Sequence, residues 1–166
     1  MLTINTSTIT TIAGMRGSGK TTLAREILRQ IKGDKIVYDP MHEYNKKISF
    51  RPKSDSLKSF DGFLKWAWKR GNIFICIDEA ERYFPLKKTM LQYAFKTVNT
   101  GRHRNIGLLV ITRRIAELHK TVFGLSNTII LFQMFLPNDI RYLLEFFPDA
   151  EKLRHIPKFQ YEIFTM

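Results

Sequence analysis

The residues Gly14-Met15-Arg16-Gly17-Ser18-Gly19-Lys20-Thr21 fit the pattern G-x-x-x-x-G-K-[ST], whose residue types suit one task, the holding of linked phosphates. Three glycines let the backbone turn tightly and aim successive N–H groups inward, and a helix starting near Lys20 adds the positive end of its dipole. Lys20 brings a point charge to the β and γ phosphates, and the Thr21 hydroxyl offers a hard oxygen to magnesium. The expected ligand is therefore ATP with Mg2+, bound by Gly14, Arg16, Gly17, Ser18, Gly19, Lys20, Thr21 and Thr22. A glycine-rich turn with a chance lysine is the plain alternative, and the strand-like Thr8–Ala13 before the loop and the helical run after it speak against that.

A second group of candidates follows an apolar run, Ile73-Phe74-Ile75-Cys76-Ile77, which ends in Asp78-Glu79. In a parallel sheet the carboxyl ends of strands face the ligand crevice, so both acids are expected to point at the triphosphate. Asp78 suits a magnesium ligand, usually through water, and Glu79 suits a general base that orients and deprotonates attacking water. The rival reading is a pair of solvated acids at a helix start.

A third group, Thr100-Gly101-Arg102-His103-Arg104-Asn105, precedes the strand-like Gly107–Ile111, and Thr112-Arg113-Arg114 follows it. Cations before a strand lie on the edge opposite the crevice, so Arg102 and Arg104 are expected to serve a neighbouring copy's nucleotide in trans, with the choice between them open. Arg113 and Arg114, on the crevice side, are expected near the γ phosphate in cis. Solvated surface or DNA-phosphate contacts remain the competing use of each arginine.

These residues need a scaffold, and the hydrophobic pattern supplies one. Leu23, Ile27 and Ile31 share a helical face that is expected to end at Gly33 as a left-handed cap. Lys35–Tyr38 reads as a strand. Leu57, Phe60, Phe63, Leu64, Ala67 and Trp68 mark a second helix, with Trp66 on the other side, either covered by a loop or in contact with another subunit. Leu86, Met90, Tyr93, Ala94, Thr97 and Val98 predict a third helix. A short helix near Ile115–His119, a strand at Thr128–Phe132, a helix through Ile140, Leu143, Leu144 and Phe147, and a strand at Phe159–Phe164 complete the set. Strands alternating with helices predict an α/β fold, a mostly parallel sheet with helices on both faces.

At 166 residues with 44% apolar content, the sequence predicts a single domain, 1–166, with one sizeable core. Cys76 is the only cysteine, which excludes a disulfide framework and points to a reducing compartment. The N-terminus has no basic region before its apolar residues, so no leader is expected. No apolar run approaches the roughly 20 residues of a membrane span, so no transmembrane segment is expected. The charge is one-sided: 27 Lys+Arg against 15 Asp+Glu, a net +12, more than a nucleotide requires. A polyanionic partner, most simply nucleic acid, is expected, with an inert basic surface as the alternative. Candidate contacts are Lys46, Lys47, Arg51 and Lys53, or Lys87 and Lys88.

Taken in order, the loop 14–21, the run into Asp78-Glu79, Gly101-Arg102 and Ile111-Thr112-Arg113-Arg114 resemble the FtsK/HerA superfamily of DNA-pumping ATPases. Asp39-Pro40-Met41-His42-Glu43-Tyr44 is similar to an acidic D-x-x-G-E-Y stretch of HerA-like proteins, with His42 in place of the glycine. The resemblance implies a RecA-like core that assembles into a homo-oligomeric ring, usually a hexamer, and threads double-stranded DNA, with Arg102 at the inter-subunit arginine position. Where the family usually reads T-Q-R, this chain has Arg113 instead of the sensor glutamine, and arginine accepts no hydrogen bond. Its short length is similar to that of viral genome-packaging ATPases. That implies work in the host cytoplasm and on the virion, with a capsid or membrane-vertex protein as a docking partner. Three alternatives stay open: an ATPase for virion or filament assembly resembling Zot-like proteins, a small P-loop nucleotide kinase, and a nucleotide-binding interaction module without turnover.

Overall fold

A computed structural model describes residues 4–165. Its frame is one seven-stranded sheet in the order β3-β2-β4-β5-β1-β6-β7. The strands are β1 (Ile9–Ala13), β2 (Lys35–Tyr38), β3 (Ser49–Phe50), β4 (Ile73–Ile77), β5 (Ile106–Thr112), β6 (Ser126–Phe132) and β7 (Tyr161–Thr165). Every pairing is parallel except that of β7, which runs antiparallel to β6 with Phe132 opposite Tyr161. The helices are α1 (Lys20–Gln30), α2 (Leu57–Arg70), α3 (Gln92–Thr100), α4 (Lys120–Gly124) and α5 (Pro137–Leu144). The architecture is that of a RecA-like P-loop NTPase core, as the sequence predicts.

The period-two geometry of strands divides the core into two layers. On β4, Phe74 and Cys76 face the α1 layer with Ala24, Ile27 and Leu28, whereas Ile73, Ile75 and Ile77 face the layer holding Phe60, Phe63, Leu64 and Ala67 of α2. Strand β5 repeats the pattern, Leu109 and Ile111 toward α1 and Ile106, Leu108 and Val110 away. All five β4 residues and all seven of β5 are buried, which explains why both read as unbroken apolar runs. Cys76 is a buried free thiol, a small core residue.

Three sequence expectations about element ends are corrected. Helix α1 stops at Gln30, and Ile31 turns extended while keeping its side chain in the core; Gly33 is not left-handed. Helix α3 begins at Gln92 rather than near Leu86, because the Asp61 carboxylate of α2 accepts hydrogen bonds from the Tyr93 and Ala94 N–H groups at 2.8 Å and so caps it there. The preceding segment instead pairs with the stretch after β5, with Leu86 N–H bonded to Glu117 O at 2.9 Å and His119 N–H to Phe84 O at 2.8 Å. The helix expected at 115–119 is a 3-10 turn, Ile115–Glu117, followed by α4. Trp66 stays 45% exposed, stacked 5.9 Å from Phe63.

Candidate active site

The loop between β1 and α1 lies at the carboxyl edge of the sheet. Its entry is pinned between the two flanking strand ends: Gly14 N–H bonds to Thr112 O at 3.3 Å and Met15 N–H to Gln133 O at 3.0 Å. A Cβ on Gly14 would sit 2.6 Å from Phe132 Cβ, so no other residue fits there. Gly19, with φ +110°, occupies the position just before α1, where it offers no side-chain cap. The first turn of α1 also contains no acid, which leaves its N–H groups open toward an anion. The Ser18 hydroxyl is buried beside them without a partner among the described residues. The loop thus fits a phosphate chain on three counts: a tight glycine backbone, open helix donors and an unspent hydroxyl.

Lys20 is 6% exposed, and its ammonium donates to Met15 O at 2.7 Å across the loop. Burial pushes its pKa down, while the negative charges of Asp78 and Glu81 oppose that shift. Thr21 Oγ1 donates to Asp78 Oδ2 at 3.3 Å, joining the two residues expected to hold magnesium. Two neighbouring hard oxygens at the edge of a phosphate cradle match the few protein ligands magnesium takes when phosphates supply others. Arg16 is exposed on the loop, and Thr22 is exposed on the first turn of α1.

Asp78 has a further partner that spacing did not reveal. The Tyr44 hydroxyl donates to Asp78 Oδ2 at 2.7 Å, and the Glu79 N–H binds Asp78 Oδ1 at 2.9 Å. Tyr44 is held in turn by Asp39, whose carboxylate accepts from the N–H groups of Glu43 at 2.8 Å and Tyr44 at 3.2 Å. Arg51 closes this group, 3.5 Å from Asp39 Oδ2. The stretch Asp39–Tyr44 was the available signal, but a resemblance in sequence says nothing of where a phenol points.

Glu79 adopts a left-handed backbone, φ +50°, and does not face the loop alone. Arg113 Nη2 lies 2.9 Å from one of its oxygens and Arg82 Nη1 3.2 Å from the other, so two arginines hold the carboxylate. Arg82 is anchored by Asp55. Arg113 also reaches Glu81: its N–H donates to Oε1 at 3.4 Å and its Nε lies 3.8 Å away. Glu81 is nearly buried, its second oxygen has no partner among the described residues, and burial pushes its pKa up. Arg82 and Glu81 were missed because neither belongs to a spaced motif.

The remaining arginines separate clearly. Arg114 forms ion pairs at 3.1 Å with the buried Asp139 and with Glu117, so it braces α5 while lining a pocket with Met15, Arg16 and Arg113 beside the loop. Arg104 donates to Trp68 O at 2.6 Å and Lys69 O at 3.2 Å and lies over the Trp68 ring, tying off the last turn of α2. Arg102 is exposed, and its side chain has no hydrogen-bond or ion-pair partner among the described residues. It lines a cavity of about 290 Å³ with Thr8, Val98 and Asn127, at the edge of the sheet opposite the loop.

Strand order, the glycine cradle, Lys20 and the Thr21–Asp78 pair define a P-loop ATPase domain. A family model described as an AAA domain matches residues 6–111, and the chain belongs to that family. No curated protein sequence matches the chain. Among solved structures, the genome packaging NTPase of Sulfolobus turreted icosahedral virus 2, in complex with sulfate, is similar with a TM-score of 0.82 at 20% identity, covering 95% of this chain and 91% of that one. The same NTPase in complex with AMPPCP gives 0.79 at 24% identity, with 98% and 94% covered. The N-terminal domain of zonular occludens toxin from Neisseria meningitidis gives 0.61 at 14% identity, with 96% and 94% covered. At these identities the likeness is one of fold.

Proposed function

We propose that the protein is an ATP-hydrolysing translocase of double-stranded DNA, a viral genome-packaging motor that works as a ring, hexameric by analogy with the superfamily it resembles, in the host cytoplasm and on the virion. The observation that carries this reading is Arg102: an exposed guanidinium without a hydrogen-bond or ion-pair partner among the described residues, lining a cavity on the sheet edge opposite its own phosphate cradle. So placed, it is out of reach of its own nucleotide and available to that of a neighbouring copy. The genome packaging NTPase among the structural neighbours, the net charge of +12 and the exposed Lys46, Lys47, Lys53, Lys87 and Lys88 support DNA as the polyanion. Arg51 is spent on Asp39 and drops out of the candidates.

In this reading Lys20 and the loop N–H groups hold the β and γ phosphates, and Thr21 with Asp78 holds magnesium. Magnesium, when bound, offsets charge on the phosphate oxygens. Glu79 takes a proton from water as the water oxygen bonds to the γ phosphorus and the bond to the β-γ bridging oxygen breaks, leaving ADP and phosphate. For this, Glu79 must leave Arg113. The γ phosphate competes for the same guanidinium, so arrival of ATP removes one of the two arginines on Glu79 and Arg113 serves as the sensor. Arg102 of the next copy completes the charge. A capsid or membrane-vertex protein is the expected docking partner. Among the described residues no helix is long and apolar enough to cross a membrane.

The test is ATP hydrolysis by the purified protein with and without duplex DNA over a salt series. Stimulation by duplex that fades steeply between 50 and 200 mM salt is expected, because phosphate contacts release counterions. Hydrolysis indifferent to DNA under assembly conditions would remove translocation from the reading.

A further inference from the structure

We propose that Phe159 is the platform on which the base of the bound nucleoside triphosphate stacks, an inference that rests on the nucleotide-binding reading of the loop. The sheet order gives the direction. Strands β4 and β5 lie on one side of β1 and β6 and β7 on the other, and the groups assigned to the γ-phosphate end, Asp78, Glu79 and Arg113, all follow β4 or β5. With that end of the nucleotide committed, its base must leave the cradle toward β6 and β7.

The lead-in to β7 meets it there. A Cβ built on Gly19 would lie 3.1 Å from Phe159 Cδ1 and 3.8 Å from Phe159 Cα, so both ring and backbone rest against the last residue of the loop. Yet the side chain is 64% exposed, more than any other large apolar residue described. Its backbone is left-handed, φ +71°, a conformation a phenylalanine adopts only when its surroundings impose it. The imposing parts are visible: the Gln160 N–H closes a turn onto Pro157 O at 3.0 Å, and Tyr161 packs on Phe132 at 5.1 Å, opposite it in the β6-β7 ladder. Lys158 lies 5.0 Å over the Phe159 ring and brings a cation to the same spot. A strained, exposed aromatic ring fixed beside a phosphate cradle offers a flat apolar surface to the base of the same nucleotide once the Lys158 side chain swings aside. Hydrogen-bond donors are absent from the ring, so stacking accepts adenine and guanine alike.

Equilibrium binding measures this without turnover, using ATP, GTP and inorganic tripolyphosphate as probes. Phe159→Ala is expected to weaken ATP and GTP by roughly 10-fold, the worth of one stacked base, and to leave tripolyphosphate unchanged. Phe159→Trp is expected to restore affinity, and its fluorescence should change with ATP but not with tripolyphosphate, against a wild-type control for Trp66 and Trp68. Phe159→Gly relieves the left-handed strain, so it should melt higher than Phe159→Ala while binding ATP equally poorly. Full ATP affinity in Phe159→Ala, with wild type binding ATP more tightly than tripolyphosphate, would overturn the platform and leave the loop reading intact. Wild type binding neither probe would instead overturn the loop reading, and the platform with it.

Discussion

The Tyr44 hydroxyl and the Asp78 carboxylate meet at 2.7 Å, and this contact links the acidic stretch after β2 to the end of β4. Asp78 carries the hydroxyl of Thr21 on the same oxygen, so Tyr44 fixes which way the carboxylate turns. Burial and the adjacent Asp78 both push the Tyr44 pKa up, which keeps the phenol protonated and a donor at all working pH values.

Tyr44→Phe removes that donor without changing ring volume. A hydrogen bond to a charged group contributes about 1.5–3 kcal/mol, so the magnesium concentration for half-maximal hydrolysis is expected to rise roughly 10-fold or more. Nucleotide binding measured in the presence of a chelator should stay at the wild-type level. A magnesium titration that superposes on wild type would show that Tyr44 only packs.

Arg113→Gln installs the residue usual at this position in the resembled superfamily and removes one of the two arginines on Glu79. The pair is partly exposed, and such a contact is worth up to about 1 kcal/mol, so hydrolysis without DNA should rise by about 2- to 5-fold. Stimulation by DNA should shrink, because loss of the γ phosphate is no longer sensed. Equal loss of rate with and without DNA would place Arg113 in the transition state and not on Glu79.

Arg102 and Arg104 sit two residues apart and should fail in opposite ways. Arg102→Ala is expected to leave the melting temperature and ATP binding unchanged and to cut turnover by about 10³-fold or more, the range for an arginine supplied in trans. Arg104→Ala should lower the melting temperature by a few degrees, since it strips about 1 kcal/mol of hydrogen bonding from the end of α2. Turnover at low temperature should persist in that variant. The reverse pattern would exchange their roles.

How far the sequence foretold these arrangements depended on what kind of signal each residue carried. Periodicity exposes β4 and β5, because a strand buried on both faces must be apolar throughout, and the glycine-lysine-threonine spacing locates the cradle directly. Edge rules placed Arg102 away from its own loop. Periodicity could not separate Arg102 from Arg104, since only the structure shows carbonyls at the end of α2 waiting for the latter. Nor could it start α3 at Gln92: that boundary is set by Asp61, 32 and 33 residues before the two N–H groups it caps, and tertiary caps leave no local trace. Tyr44 and the Arg82–Glu79–Arg113 clamp are likewise contacts between distant segments.

Glu81 offers a titration signature. Burial raises its pKa above the unfolded value, opposed by hydrogen bonds from Thr112 and Arg113. A carboxyl with a raised folded pKa contributes stability at low pH, and that contribution is lost as pH rises through the folded pKa. Glu81→Gln, neutral at every pH, should therefore match wild type in acid and melt progressively higher than wild type as pH rises toward neutrality, by roughly 2–4 °C per kcal/mol relieved. A difference in melting temperature that shrinks as pH rises would contradict this.

Hydrolysis at a seam between copies is tested most directly by mixing two dead variants. Glu79→Gln lacks the base but can lend Arg102, whereas Arg102→Ala lacks the arginine but keeps its base. Assembled together in equal amounts with duplex DNA, they create seams in which an intact Glu79 faces an intact Arg102. Since these form one time in four at random, roughly a quarter of wild-type ATP turnover should return if Arg102 acts in trans. Activity that stays at the level of either variant alone, in mixed assemblies shown to contain both, would contradict it.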